Sequence, residues 1–246
     1  SRDGKEWTSR TSGTSKNLYG VTYGNRLLVT VGDGTILTSR DGNSWTSRTP
    51  FNASLKNFNG VTYGNGIFVT VGNDGTIFTS RDGNSWTLSV NRVDKNGKTT
   101  MLSNNTSDLK GVIYGNELFV TVGDDGTILT SRDGNSWTER TSGTSKDLYG
   151  VNYVNGLFMV VGSNKTILTS RDGNSWTLRS SSKFNIVGGL GDLKGVTYGN
   201  RLFVTVGDDE TILRSSDATT WTSKWYWFMF RDPGITYRGT GVIFTK

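Results

Sequence analysis

The stretch GTILTSRDGNSWT, residues 34–46, returns letter for letter at 126–138. GTIFTSRDGNSWT at 75–87 and KTILTSRDGNSWT at 165–177 each differ from it at one position. Aliphatic and β-branched residues on both sides of an Arg-Asp-Gly-Asn-Ser turn read as two short strands with a tight connection. Self-similarity at a regular period is the signature of a repeat architecture, and it governs how the rest of the chain is read.

Aligning on the Trp extends the series to six boxes: SRDGKEW (1–7), SRDGNSW (39–45, 80–86, 131–137 and 170–176) and SSDATTW (215–221). A second phrase precedes each of the last five boxes: GVTYGNRLLVTVG (20–32), GVTYGNGIFVTVG (60–72), GVIYGNELFVTVG (111–123), GVNYVNGLFMVVG (150–162) and GVTYGNRLFVTVG (195–207). A sixth, GITYRGTGVIFTK (234–246), ends the chain, and six units in 246 residues average 41 each. Each unit divides into four short strands rich in Val, Ile, Thr, Tyr and Phe, separated by Gly, Asn and Asp turns. That pattern predicts an all-β, six-bladed β-propeller of four-stranded antiparallel blades, one domain over 1–246, with helix close to nil. The N-terminus offers a box and a fourth strand, the C-terminus a first and second strand, so the two ends together are expected to close the ring as one composite blade. Its third strand is expected upstream of Ser1, or the closing blade has only three strands; the chain could also be a fragment of a longer array.

Composition narrows the chemistry. The chain has 33 Gly, 2 Pro, no Cys and no His. Disulfides, thiolate-bound zinc, thiol nucleophiles and imidazole bases are excluded. The formal charge is +6, but basic residues are interspersed, so no nucleic-acid stripe is expected. No apolar run reaches membrane-spanning length.

The boxes resemble those of the Asp-box (bacterial neuraminidase repeat) propellers, Ser-x-Asp-x-Gly-x-Thr-Trp. The form here is one residue shorter, Ser-x-Asp-Gly-x-x-Trp, and is similar to repeats of photosystem II assembly-factor-like bacterial propellers. The resemblance spans nearly the whole chain and implies the fold; the same box occurs in sialidases, other glycosidases, lectins and scaffolds. A structural role is expected for Asp3, Asp41, Asp82, Asp133, Asp172 and Asp217, which can accept backbone N–H bonds in the turn. Trp7, Trp45, Trp86, Trp137, Trp176 and Trp221 can bury their rings between sheets. Ala218 replaces the box glycine in the last copy, where a distorted turn is expected.

Catalysis at one centre needs residues that differ between blades, and these lie mainly in the inter-blade loops expected at 91–108, 180–192 and 223–234. Trp225, Tyr226 and Trp227, with Phe228 and Phe230, are a candidate stacking platform. Asp124, Asp125, Asp208 and Asp209, with Asp33, Asp74 and Glu210, sit in the turns between second and third strands and could meet a ligand at the mouth of the ring. Arg2, Arg40, Arg81, Arg132 and Arg171 are expected to ring the opposite face. The expected function is a non-enzymatic binding propeller, lectin- or adhesin-like, outside the cell or at its surface. Its partner would be a glycan or surface protein, with no cofactor or metal, the chain being a monomer or part of a larger assembly. A sialidase-like glycosidase and a structural or assembly scaffold are the alternatives.

Overall fold

Alternating Val, Phe, Ile and Thr in the phrase at 60–72 leave both faces of a strand apolar, which suits a sheet packed on two sides. The computed structural model describes residues 5–50, 56–89, 91–101, 107–179, 191–223, 235–238 and 241–244. In it, each complete phrase opens an antiparallel sheet whose strands lie in sequence order. Blade one holds β1 (Leu18–Gly24), β2 (Leu27–Gly32), β3 (Thr35–Ser39) and β4 (Thr46–Ser47). Blade two holds β5 (Phe58–Gly64), β6 (Ile67–Gly72), β7 (Ile77–Ser80) and β8 (Thr87–Leu88). The chain then forms a ribbon, β9 (Asn91–Val93) and β10 (Thr99–Met101), before blade three: β11 (Leu109–Gly115), β12 (Leu118–Gly123), β13 (Ile128–Ser131) and β14 (Ser136–Arg140). Blade four holds β15 (Leu148–Val154), β16 (Leu157–Gly162), β17 (Thr166–Ser170) and β18 (Thr177–Arg179). Blade five holds β19 (Leu193–Gly199), β20 (Leu202–Gly207), β21 (Ile212–Ser215) and β22 (Thr222–Ser223). Helix among the described residues is limited to single 3-10 turns such as Asp124–Gly126.

The core lies between sheets. Ile67, Val69 and Val71 of β6 meet Leu109, Val112, Phe119 and Trp137 of blade three, whereas Phe68 between them points back to Leu27 and Val29 of blade one. Four such cores join the five blades in series. The first flank of the series is bare: Val21 is 65% and Tyr23 64% exposed, while the counterparts of Val21, Val61 and Val112, are each 9% exposed, and those of Tyr23, Tyr63 and Tyr114, pack partly buried against the cores.

The box is a hydrogen-bonded unit. In blade three Ser131 Oγ accepts the Gly134 N–H (2.8 Å) and donates to Asp133 Oδ1 (3.0 Å). The same Oδ1 accepts the N–H groups of Asn135 and Ser136, both at 2.9 Å, and Trp137 Nε1 donates to the Gly134 carbonyl at 2.9 Å. Gly134 has φ +74° and is buried against Ile67 of the preceding blade. The turn around Ala218 keeps the Asp217 bonds to the N–H groups of Thr219 (2.8 Å) and Thr220 (2.7 Å). Ala218 itself takes a left-handed φ of 60°, in the region where the other box glycines lie at 72–74°, and the buried Trp221 Nε1 has no hydrogen-bond partner among the described residues.

These bonds hold the box carboxyls below their ordinary pKa. The Ser44, Ser85 and Ser175 N–H groups are the main cause at Asp41, Asp82 and Asp172, and the Thr220 N–H at Asp217. At Asp133 burial pushes upward, but the Ser136 and Asn135 N–H groups outweigh it. A depressed carboxyl stabilises the fold above its unfolded pKa of about 4, and that stability is lost as pH falls through the folded value. With no His in the chain, the urea midpoint is expected to be nearly flat from about pH 7 to 5 and to fall below about pH 4. A midpoint unchanged at about pH 2.5 would contradict this role.

One expectation needs correction, and another is not met among the described residues. Segment 91–108 is not simply a loop, because β9 pairs in parallel with β14, so the ribbon widens blade three to six strands, β10-β9-β14-β13-β12-β11. A 2.8 Å ion pair between Arg92 and Glu139 fastens it there. The composite closing blade is not seen among the described residues. β23 (Ile235–Arg238) and β24 (Gly241–Phe244) pair with each other, Tyr237 opposite Val242 as Tyr198 is opposite Phe203. They repeat the register of a blade's first two strands, yet β24 rather than β23 lies against β19 and β20. Residues 7–16 contain no strand, and Trp7 is 64% exposed. The physical reason is pairing: a fourth strand binds a third, and the described hairpin has none.

Candidate functional site

A bulge shapes the inner strand of every complete blade. Leu18 pairs with Gly32 and Gly20 with Val31, which leaves Tyr19 as the extra residue; Asn59, Lys110, Tyr149 and Lys194 occupy the same place in the other blades. Bulges re-aim a side chain. The re-aimed residue directly precedes the repeated phrase and varies between blades, being Tyr, Asn, Lys, Tyr and Lys in chain order.

These five side chains lie in a polar belt with the turns between second and third strands. Tyr19 Oη donates to Asp33 Oδ1 at 2.8 Å. Asn59 Nδ2 donates to Asn73 Oδ1 (3.0 Å) and, across the blade boundary, to the Leu109 carbonyl (2.8 Å). Lys110 Nζ lies 3.0 Å from Asp108 and 3.2 Å from Asp124. Lys194 Nζ lies 3.2 Å from Asp192, 3.3 Å from Asp208 and 3.8 Å above the Tyr149 ring. Ser163 Oγ donates to Tyr149 Oη at 2.9 Å.

Blade-to-blade staples fix the belt. Asp108 Oδ1 accepts the N–H of Asp74 at 3.0 Å, Asp147 that of Asp125 at 3.0 Å, and Asp192 that of Asn164 at 3.2 Å. Each donor comes from the preceding blade's turn. Asp74, Asp125 and Asn164 have φ of 53°, 55° and 52°, the left-handed region that Asn and Asp tolerate best after Gly. Burial opposes ionisation of Asp108 and Asp192, yet the staple N–H and the adjacent lysine hold both below the usual carboxylate value. Burial likewise works against charge on Lys110 and Lys194, and their carboxylate partners outweigh it, raising both. Burial raises Asp124, and the hydrogen bond to Asp33 raises the Tyr19 phenol.

Of the residues singled out by sequence, Asp124 and Asp208 enter the belt as lysine partners. Asp125 accepts from Ser107 Oγ at 3.3 Å, and Asp209 is exposed. Trp225, Tyr226 and Trp227 lie outside the described residues, as does Asp3. Arg40, Arg81, Arg132 and Arg171 are exposed beside the boxes. The Asn65 turn meets the Arg132 carbonyl at 3.3 Å, which puts the Asn hairpins and boxes at one end of the blades and the belt at the other. No described helix is long and apolar enough to cross a membrane.

Residues 94–186 match the family model described as the DUF6242 beta propeller domain. The chain resembles YCF48 from Cyanidioschyzon merolae with TM-score 0.65 at 15% identity, over 98% of this chain and 83% of that one. It resembles YCF48 bound to D1 peptide with TM-score 0.62 at 18% identity, over 89% and 71%. Virginiamycin B lyase from Staphylococcus aureus gives TM-score 0.66 at 15% identity, over 88% and 72%. The fold is a β-propeller. At these identities the likeness is one of architecture alone. No curated protein matches the sequence. Sequence reasoning passed over the propeller's Tyr19, Asn59, Lys110, Tyr149 and Lys194; polar variation at the position just before the repeated phrase was the signal that could have found them.

Proposed function

We propose that this chain is a non-enzymatic binding propeller, its ring completed by a sixth blade, whose belt end docks an extended, cationic segment of a partner protein. The observation that carries the reading is the row of bulge residues, Tyr19, Asn59, Lys110, Tyr149 and Lys194, in a setting where carboxylates outnumber lysines. Lys110 and Lys194 are each held between two aspartates, which suits fixed recognition better than proton transfer. Asp209 and Glu210 are exposed in the same turns and add acidic charge at the rim. A structural neighbour is YCF48 bound to a D1 peptide, a precedent for peptide binding on this architecture. A glycan ligand is the competing reading.

Fluorescence anisotropy with Lys/Arg-containing and Glu-containing peptides of equal length, run beside a glycan array, separates the two. Saturable binding of the cationic peptides, weakening with salt, is expected. Asp209→Asn with Glu210→Gln should weaken it about threefold, equivalent to roughly 0.7 kcal/mol. Saturable glycan binding with no peptide binding would sink the proposal.

A further inference from the structure

In every complete blade the bulge residue meets the turn residue fourteen places on, as Asn59 meets Asn73. Two places before the bulge residue stands the staple position, an aspartate in blades three, four and five. Blades three and five carry one and the same set: Asp108, Lys110 and Asp124 in the first, Asp192, Lys194 and Asp208 in the second. Each ammonium lies between two carboxylates, at 3.0 and 3.2 Å in blade three and at 3.2 and 3.3 Å in blade five. The staple aspartate divides its labour. Its Oδ1 accepts the N–H of the preceding blade's turn, and its Oδ2 takes the ammonium.

Blade four departs from this set. Tyr149 and Ser163 stand where blades three and five have lysine and aspartate. Tyr149 leans toward blade five, its ring 3.8 Å from the Lys194 ammonium. Asp147 keeps the staple, its Oδ1 accepting the Asp125 N–H at 3.0 Å, but its Oδ2 has no cationic partner among the described residues. We propose that Asp147 receives a lysine or arginine of the docked segment, and that the Tyr149–Ser163 pair is what leaves this one position open. The inference rests on the belt reading above and adds the place at which charge is read. Blades three and five are filled by the chain's own ammonium groups, and blades one and two have Asn17 and Asn57 at the staple position. A cation at Asp147 would also relieve its neighbour. Burial is the main reason that Asp124 sits above the ordinary carboxylate range, and the Asp147 charge adds to it against the pull of Lys110.

Exchanging the pair tests this without changing the net charge of the belt. Tyr149→Lys with Ser163→Asp gives blade four the set of blades three and five and supplies Asp147 with an internal ammonium. Affinity for the Lys/Arg-containing peptides, read by anisotropy, should fall about fivefold while the Tm changes little. Lys110→Tyr with Asp124→Ser is the reverse exchange. It frees Asp108 Oδ2 and should raise the affinity. Asp147→Asn keeps an oxygen for the Asp125 N–H and removes the charge, so it should weaken binding more than Asp209→Asn with Glu210→Gln. Affinity unchanged by Asp147→Asn, or by the blade-four exchange in a folded protein, overturns the assignment and leaves the belt reading in place. If the blade-four exchange does not fold, Asp147→Asn decides alone. If the unaltered protein binds no cationic peptide, the belt reading fails and takes this inference with it.

Discussion

Trp137→Ala is expected to destabilise the protein by about 3–5 kcal/mol, the range for removing a fully buried aromatic ring. Trp137 is completely buried between blades two and three, in one core with Ile67, Val69 and Phe119. Its ring centroid is 6.5 Å from that of Phe119, and its N–H is bonded to the Gly134 carbonyl. The box turn around Asp133 would lose its anchor as well as its packing. At this chain length the Tm should fall by about 6–20 °C. Trp45 is the internal comparison: it sits on the bare flank of blade one, half-buried, with its Nε1 contact stretched to 3.3 Å. Denaturant titration should find Trp45→Ala less than half as costly. Equal losses at the two positions would mean that packing between blades is not what holds the ring of Trp137.

Gly123→Ala should cost about 3 kcal/mol, the upper end for overpacking, because the obstacle is backbone. A methyl there would lie 2.1 Å from the Asp108 carbonyl oxygen. The φ of Gly123 is −167°, extended backbone that any residue adopts, so the loss is steric alone. The Asp124 N–H bond to that carbonyl, 3.0 Å, would have to give. The shift would pass to Asp108, which bonds the Asp74 N–H and pairs with Lys110. Stability and peptide affinity should therefore fall together. Gly143→Ala is the contrast, with a φ of 75° but open space around it, and should cost only about 1 kcal/mol of backbone strain. If Gly143→Ala proves the worse of the two, the close approach at Gly123 is not what requires glycine.

Repetition made the blades readable. Ser131, Asp133, Gly134 and Trp137 act within seven residues, so their spacing carries their geometry. The Asn65 and Gly66 turn likewise declares itself through the positive φ of both residues (47° and 77°). The ribbon β9–β10 was harder to see, although Asn96 and Gly97 mark its turn. Its strands are three residues long and polar, and what orders them is pairing with β14 and the Arg92–Glu139 contact, neither of them local. The belt was legible only in part. The turn aspartates stood out by type, but the bulge that selects Tyr19, Asn59, Lys110, Tyr149 and Lys194 is a property of strand register. Lys110 and Lys194 as partners of Asp124 and Asp208 follow from that register, not from composition.

The seats between blades use nearly the same residues each time: Leu27, Ile67 and Leu118 receive Gly83, Gly134 and Gly173. During folding, then, a nascent box cannot tell its own neighbour's seat from another by shape. Out-of-sequence pairing within the chain, or exchange between two chains, satisfies the same contacts, and only chain connectivity penalises it. Refolding yield should accordingly drop with protein concentration more steeply than for a propeller of dissimilar blades. Arg214, standing where the other complete blades carry Thr, is one of the few marks that tell one seat from another in a molecule otherwise written in one repeated word.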